Sequence, residues 1–143
     1  MLSNTCKYAI RAVIYLAHED DITKKIGIKK ISENLKIPTP FLGKILQILA
    51  KNKILSSTKG PNGGFSLGKP ANKISLMDIV DIIDGDESFN ACVIGLLSCT
   101  IEETNCPIHE KYAPIREQAK QLFIHQNIAE LAESIDKNPK IKI

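Results

Sequence analysis

The sequence runs to 143 residues, 43% of them hydrophobic and 24% charged, which suits one domain with a packed core and excludes a chain disordered throughout. Its longest apolar run, Ala12 to Ala17, is six residues, against about 20 for a membrane-spanning helix, and no charged leader precedes a cleavage-like site. A soluble, unprocessed cytoplasmic protein without a membrane partner is expected, and its four cysteines are too few and too unevenly spaced for a secreted disulfide scaffold.

The net charge of +3 conceals a split between the two halves. Residues 1–73 carry 13 Lys and Arg against 4 Asp and Glu, a balance of +9, while residues 74–143 carry 6 against 12, a balance of −6. Between Ile22 and Lys73 stand eleven lysines and one acid, Glu33. Such an excess attracts polyanions and suggests nucleic acid or an anionic surface, with a solvated lysine-rich face as the alternative that charge alone does not separate.

Cys6, Ile10, Val13 and Ala17 recur at helical spacing, predicting a first helix from Ser3 to His18 with a broad buried face. Asn4 or Thr5 is a candidate cap. Cys6 lies on the apolar stripe and reads as a small core hydrophobe rather than a ligand, and His18 reads as a partner for the helix end.

Ile28, Ile31 and Leu35 give a second, short helix, interrupted at Lys36-Ile37-Pro38 because the residue before proline avoids helical angles. Thr39 as cap and Pro40 at the first helical position restart it. Leu42, Ile45, Leu46 and Leu49 then face inward, a helix-turn-helix pattern for which an ordinary helical hairpin is the alternative. The outward positions Thr39, Gly43, Lys44, Gln47 and Lys51 include no acid, and Lys44 and Gln47 suit base edges or phosphates.

Leu55–Lys59 and Phe65–Lys69 read as two short strands around the turn Gly60-Pro-Asn-Gly-Gly64. A hairpin directly after a helix-turn-helix makes a winged helix, with Lys59 and Asn62 at the tip. A nucleotide phosphate loop fails here, since no Gly-Lys-Ser/Thr and no following helix complete it. The fold class expected is mainly α with a small β-hairpin: a winged helix-turn-helix domain plus a long C-terminal dimerisation helix.

Ser75 caps a helix through Ile79, Val80, Ile82 and Ile83 that Gly85 ends. The segment beyond it places Cys92, Cys99 and Cys106 in a C-x6-C-x6-C spacing followed by His109. The spacing lacks the short knuckle of structural zinc sites and suits a cluster held by a flexible loop; zinc, a redox disulfide or incidental thiols are the alternatives. Ile108, Tyr112, Ile115, Ala119, Leu122 and Gln126 then step by 4, 3, 4, 3, 4, a heptad-like seam on a long helix that wants a partner, with packing on its own domain as the alternative. Asn127 with Glu130 resembles a capping pair for a last helix, Ile128 to Ile135. The expected divisions are a DNA-binding unit over 1–85, a cysteine segment over 86–106, the dimerisation and final helices over 107–135, and a flexible tail over 136–143.

Tyr8-Ala9, Ile31-Ser-Glu33, Pro40-Phe-Leu-Gly-Lys-Ile-Leu46, Lys59-Gly-Pro-Asn-Gly-Gly-Phe-Ser-Leu67 and Ile74-Ser-Leu-Met-Asp-Ile-Val80 together resemble the Rrf2 family of winged-helix regulators, the group of IscR and NsrR. The resemblance implies a homodimeric bacterial transcription regulator, usually a repressor, on double-stranded DNA with a palindromic operator. Thr39, Pro40, Gly43, Lys44, Gln47, Lys59 and Asn62 are then the DNA-binding candidates, and Ile108, Tyr112, Ile115, Ala119 and Leu122 the dimer candidates. It further implies that Cys92, Cys99 and Cys106 hold an iron–sulfur cluster. The gaps between them are longer than in the cluster-binding members, and Lys7 stands where one branch places an acidic ligand. Another branch of the family places a histidine three residues after the last cysteine, as His109 follows Cys106, so the resemblance makes His109 the favoured fourth ligand of a two-iron cluster, with a four-iron cluster completed by an exogenous or partner-chain ligand as the alternative. No catalytic role is expected, since no paired Cys-x-x-Cys, Ser-His-Asp order or carboxylate pair supports a redox or other enzyme.

Overall fold

Ser3, one residue before the expected caps, starts the first helix in the computed structural model, which describes residues 2–18, 23–85, 87–95, 107–138 and 140–143. Its Oγ accepts from the Cys6 N–H at 3.0 Å, satisfying one of the orphan donors of the helix start. The helices are α1 (Asn4–Ala17), α2 (Ile28–Leu35), α3 (Thr39–Lys51), α4 (Leu76–Ile83), α5 (Glu87–Asn90), α6 (His109–His125) and α7 (Ile128–Asp136), with strands β1 (Leu55–Thr58) and β2 (Gly64–Leu67) between α3 and α4.

The turn between α2 and α3 corrects one expectation. Pro38, not Thr39, is the cap of α3, because the Pro38 carbonyl already accepts from the Phe41 and Leu42 N–H groups at 3.1 and 2.9 Å. The Thr39 hydroxyl caps nothing; it donates to Ser32 Oγ at 3.0 Å, while Ser32 Oγ donates to the Ile37 carbonyl at 2.6 Å. Pro40 thus occupies the second helical position, where its missing N–H still costs no helical hydrogen bond. Lys36, in the left-handed region at φ 55°, reverses the chain at the end of α2.

Ala9, Ala12 and Val13 of α1 are fully buried at the centre of the core, together with Ile31, Leu42, Leu46, Leu49, Ile74 and Ile79. Small residues on α1 let α3, α4 and α7 pack closely around it. The hairpin pairs Leu55 with Leu67 and Thr58 with Gly64. A third edge, which period-2 patterning did not reveal, comes from Ile26: it exchanges two backbone hydrogen bonds with Phe65, both 2.9 Å. Lys25 Nζ adds bonds to Ser56 Oγ at 2.7 Å and Ser66 Oγ at 3.0 Å, tying the segment before α2 to both strands.

Ser75 and Asp78 form a reciprocal capping box at α4. α7, capped by Asn127, is part of the same body: Ile128 is fully buried, and the chain beside it bridges to Ile74–Leu76 through bonds of 2.9 and 3.0 Å. Ile143, in the segment expected to be a flexible tail, is half-buried against this core. A smaller cluster of Cys6, Met77 and Val80 is covered by Phe89 of α5 and Phe123 of α6, whose ring centroids are 5.3 Å apart. α5 itself is a helical turn inside what the sequence offered as a loop.

Candidate nucleic-acid interface and cysteine segment

Leu42, Ile45, Leu46 and Leu49 take the inner face of α3, which leaves Pro40, Phe41, Lys44, Gln47, Ile48 and Lys51 exposed. That outer face contains two cations and no acid. Lys44 and Gln47 lie on it as expected. Thr39 and Gly43 do not; both turn toward α2, Thr39 through Ser32 and Gly43 against Ile28, whose Cδ1 lies 3.2 Å from where a Cβ would stand. The glycine thus stands close against α2, where a larger side chain would crowd Ile28. Phe41, Ile48 and Lys29 belong to the exposed surface although sequence patterning had not singled them out; the missing acids between Ile22 and Lys73 were the available signal for Lys29.

The wing stands beside this face. Lys59, Gly60, Pro61 and Asn62 are exposed at its tip, where Gly63 N–H bonds the Gly60 carbonyl at 3.0 Å. Gly64 must be glycine, because at φ +146° a Cβ would lie 2.3 Å from the Ile26 carbonyl oxygen. A cleft of about 550 Å³ separates wing and helices, bordered by Gln47 of α3, Gly27 and Lys29 at the start of α2, and Thr58 and Lys59 of the wing. Two of the residues predicted to meet DNA, Gln47 and Lys59, therefore share one open, lysine-bordered groove, the charge and shape that a phosphate backbone requires.

The cysteines divide sharply. Cys6 is fully buried, and burial, with the Asp84 carboxylate adding to it, pushes its thiol up to about 12, so it stays a protonated core group. Cys92 is half-buried just after α5 and lines an open cleft of about 670 Å³ with Ser3, Asp84, Ser88 and Tyr112. His109 is the first residue of α6. Cys99 and Cys106 lie outside the described residues, and among the described residues no three metal-ligating side chains converge. Arg116 of α6 donates toward the carbonyls of Asn90 and Ala91 at 3.4 and 3.5 Å, so the chain leading into Cys92 is held against the helix that begins with His109.

α6 has no buried residue. Ile115 and Leu122 are each 60% exposed and Ile108 is 38% exposed, whereas Tyr112 and Ala119 of the same predicted seam are half-buried. Such an apolar row in water is unusual for a helix of this length. No helix among the described residues is long and apolar enough to cross a membrane.

Comparison with known proteins agrees with these features. Residues 2–134 match the Rrf2 family, described as iron-dependent transcriptional regulators. A candidate HTH-type transcriptional regulator of Aquifex aeolicus is 35% identical over 100 residues, 70% of this chain and 68% of that protein. The HTH-type transcriptional regulator IscR of Klebsiella pneumoniae is 30% identical over 91 residues, covering 64% of this chain and 55% of its own length. Among solved structures, CymR, the global cysteine regulator of B. subtilis, superposes with a TM-score of 0.75 at 19% identity over 94% of this chain and 97% of its own. T. potens IscR does so with a TM-score of 0.72 at 16% identity, over 96% and 90%. These two show that the fold is the winged-helix fold of such regulators.

Proposed function

Because the chain belongs to the Rrf2 family of DNA-binding transcriptional regulators, which are not enzymes, we propose that it acts as a homodimeric, operator-specific repressor whose cysteine segment holds an iron–sulfur cluster. The observation that carries the DNA-binding part is the groove between α3 and the wing, lined from both sides by Gln47 and Lys59 with no acid on the exposed face of α3. In this reading Pro40, Lys44 and Gln47 enter the major groove, Lys59 and Asn62 meet the backbone or minor groove at the wing, and Thr39 and Gly43 support α3 from behind. The exposed row of Ile108, Ile115 and Leu122 pairs with its own copy, which presents two recognition helices to a palindromic site.

The donor set fits a cluster. Three thiols and an imidazole within eighteen residues are ligands that iron–sulfur chemistry accepts; of these, Cys92 lines an open cleft and His109 begins α6. Cys92, Cys99, Cys106 and His109 would hold it, with two irons favoured and four as the alternative. When bound it supplies redox- and nitric-oxide-sensitive iron. The protein's own part is to carry a change at Cys92 inward: α5 rests through Phe89 on Phe123 and on the cluster of Cys6, Met77 and Val80, which joins α1 and α4 of the DNA-binding body.

A second reading, a thiol switch without iron, is favoured by the likeness to CymR, whose Staphylococcus aureus form has been solved in an oxidized state. Anaerobic purification followed by a visible spectrum and iron and sulfide assays separates the two. Brown protein with stoichiometric iron and sulfide is expected. Colourless protein that stays so after reconstitution, with zinc or no metal, overturns the cluster and leaves the thiol switch.

A further inference from the structure

We infer that Phe41 and Ile48 form an apolar edge of the recognition surface that reads thymine methyl groups in the major groove, an inference that rests on the DNA-binding function proposed above. Both side chains are large, apolar and substantially in water, 39% and 42% exposed. Single exposed hydrophobics are ordinary on protein surfaces. These two differ by their place. They stand two helical turns apart on the same side of α3, alternating with Lys44 and Lys51, and no acid lies on that face.

Phe41 is also fixed in position. Its ring stands edge-on to Tyr8, centroids 5.7 Å apart and planes at 87°, and Arg11 lies 5.9 Å over the Tyr8 ring while donating to the Leu35 carbonyl at 2.9 Å. Phe41 therefore presents a preset shape and loses little side-chain freedom on contact. The flanking lysines select a polyanion as occupant. On the major-groove edges of duplex DNA, the one apolar group is the C5-methyl of thymine. An apolar pair held between lysines on a groove-facing helix thus matches thymine, and neither cytosine nor a purine offers it that contact.

The test uses the full chain and operators selected from a random duplex pool. Each thymine is replaced in turn by deoxyuridine, which keeps the hydrogen-bonding edge and removes only the methyl, and affinity is read by fluorescence anisotropy at fixed salt. At one or more positions binding is expected to weaken about fourfold, the factor for one methyl-sized group returned to water. Phe41→Ala or Ile48→Ala should abolish that penalty at its own position and leave the others intact. The wild-type series needs no variant, and Phe41→Leu replaces Phe41→Ala if loss of the Tyr8 contact loosens the fold. Operators that bind equally well with and without every methyl, or penalties that persist unchanged in both alanine variants, overturn the inference while the DNA-binding function stands. A pool that yields no preferred sequence overturns both.

Discussion

Gly43 of α3 lies so close to α2 that a Cβ there would stand 3.2 Å from Cδ1 of Ile28. The neighbour is the end of a flexible, half-buried side chain, so a single methyl can be accommodated by a small rotation, and the gain in helix propensity, about 1 kcal/mol, works against the crowding. Gly43→Ala should therefore change stability by less than about 1 kcal/mol, whereas Gly43→Leu overpacks the α2–α3 contact and should cost about 2 kcal/mol. Urea unfolding of the two variants measures both.

Gly64 has no such latitude, because the atom a Cβ would meet is the Ile26 carbonyl oxygen, at 2.3 Å, and backbone cannot rotate aside. Gly64→Ala should break the Ile26–Phe65 bridge, lower stability by about 3 kcal/mol and weaken DNA binding by releasing the wing. Thermal unfolding and an operator titration on the same preparation check it; a wild-type melting curve would contradict it.

Cys6, with its thiol pushed up to about 12 by burial, makes stability depend on alkaline pH. The folded thiol stays protonated after the unfolded one has ionised near pH 9, so the folded state binds more protons and its stability falls as pH rises from about 9 toward 12. Below pH 9 the contribution is fully present. Urea midpoints at pH 8 and pH 10 should show a larger drop in wild type than in Cys6→Ala. Alkylation of the native protein should spare Cys6 and reach it only on unfolding.

Lys44, exposed at the centre of the outer face of α3, should contribute to operator binding directly. Lys44→Ala is expected to weaken it by about 1–3 kcal/mol. Wild-type affinity should fall steeply with salt as phosphate contacts release counterions. A salt series on both proteins reports the slope, and a flat wild-type series would remove the electrostatic basis of the interface.

Ile115 is 60% exposed in the middle of α6, and in the proposed dimer it lies between two copies. Ile115→Asp puts a charge at that contact without disturbing any core of the single chain, so the variant should stay folded, sediment as a monomer and lose operator affinity. Persistence as a dimer in sedimentation velocity would exclude α6 as the dimer helix.

α3 was legible in detail because one stripe of Leu42, Ile45, Leu46 and Leu49 decides which way the helix faces, and the hairpin because its turn glycines have few backbone alternatives. Its cap was misplaced by one residue, since Thr39 is a favourable cap by type and the sequence does not reveal that Ser32 takes its hydroxyl. The same local logic reads the thiol spacing but not the path of the chain through it, and Cys99 and Cys106 lie outside the described residues.

By itself, then, the amino-acid order determined every helix but α5, the wing, the segregation of positive charge into the first half and the residue types of the cysteine segment, all properties of neighbours within a few turns of chain. Tertiary structure decided that Gly43 packs against Ile28 of α2, that Phe41 and Ile48 are exposed, that Ile26 completes the wing and that α7 closes the core. Each of these depends on which distant residue arrives opposite, and packing of whole elements chooses that partner.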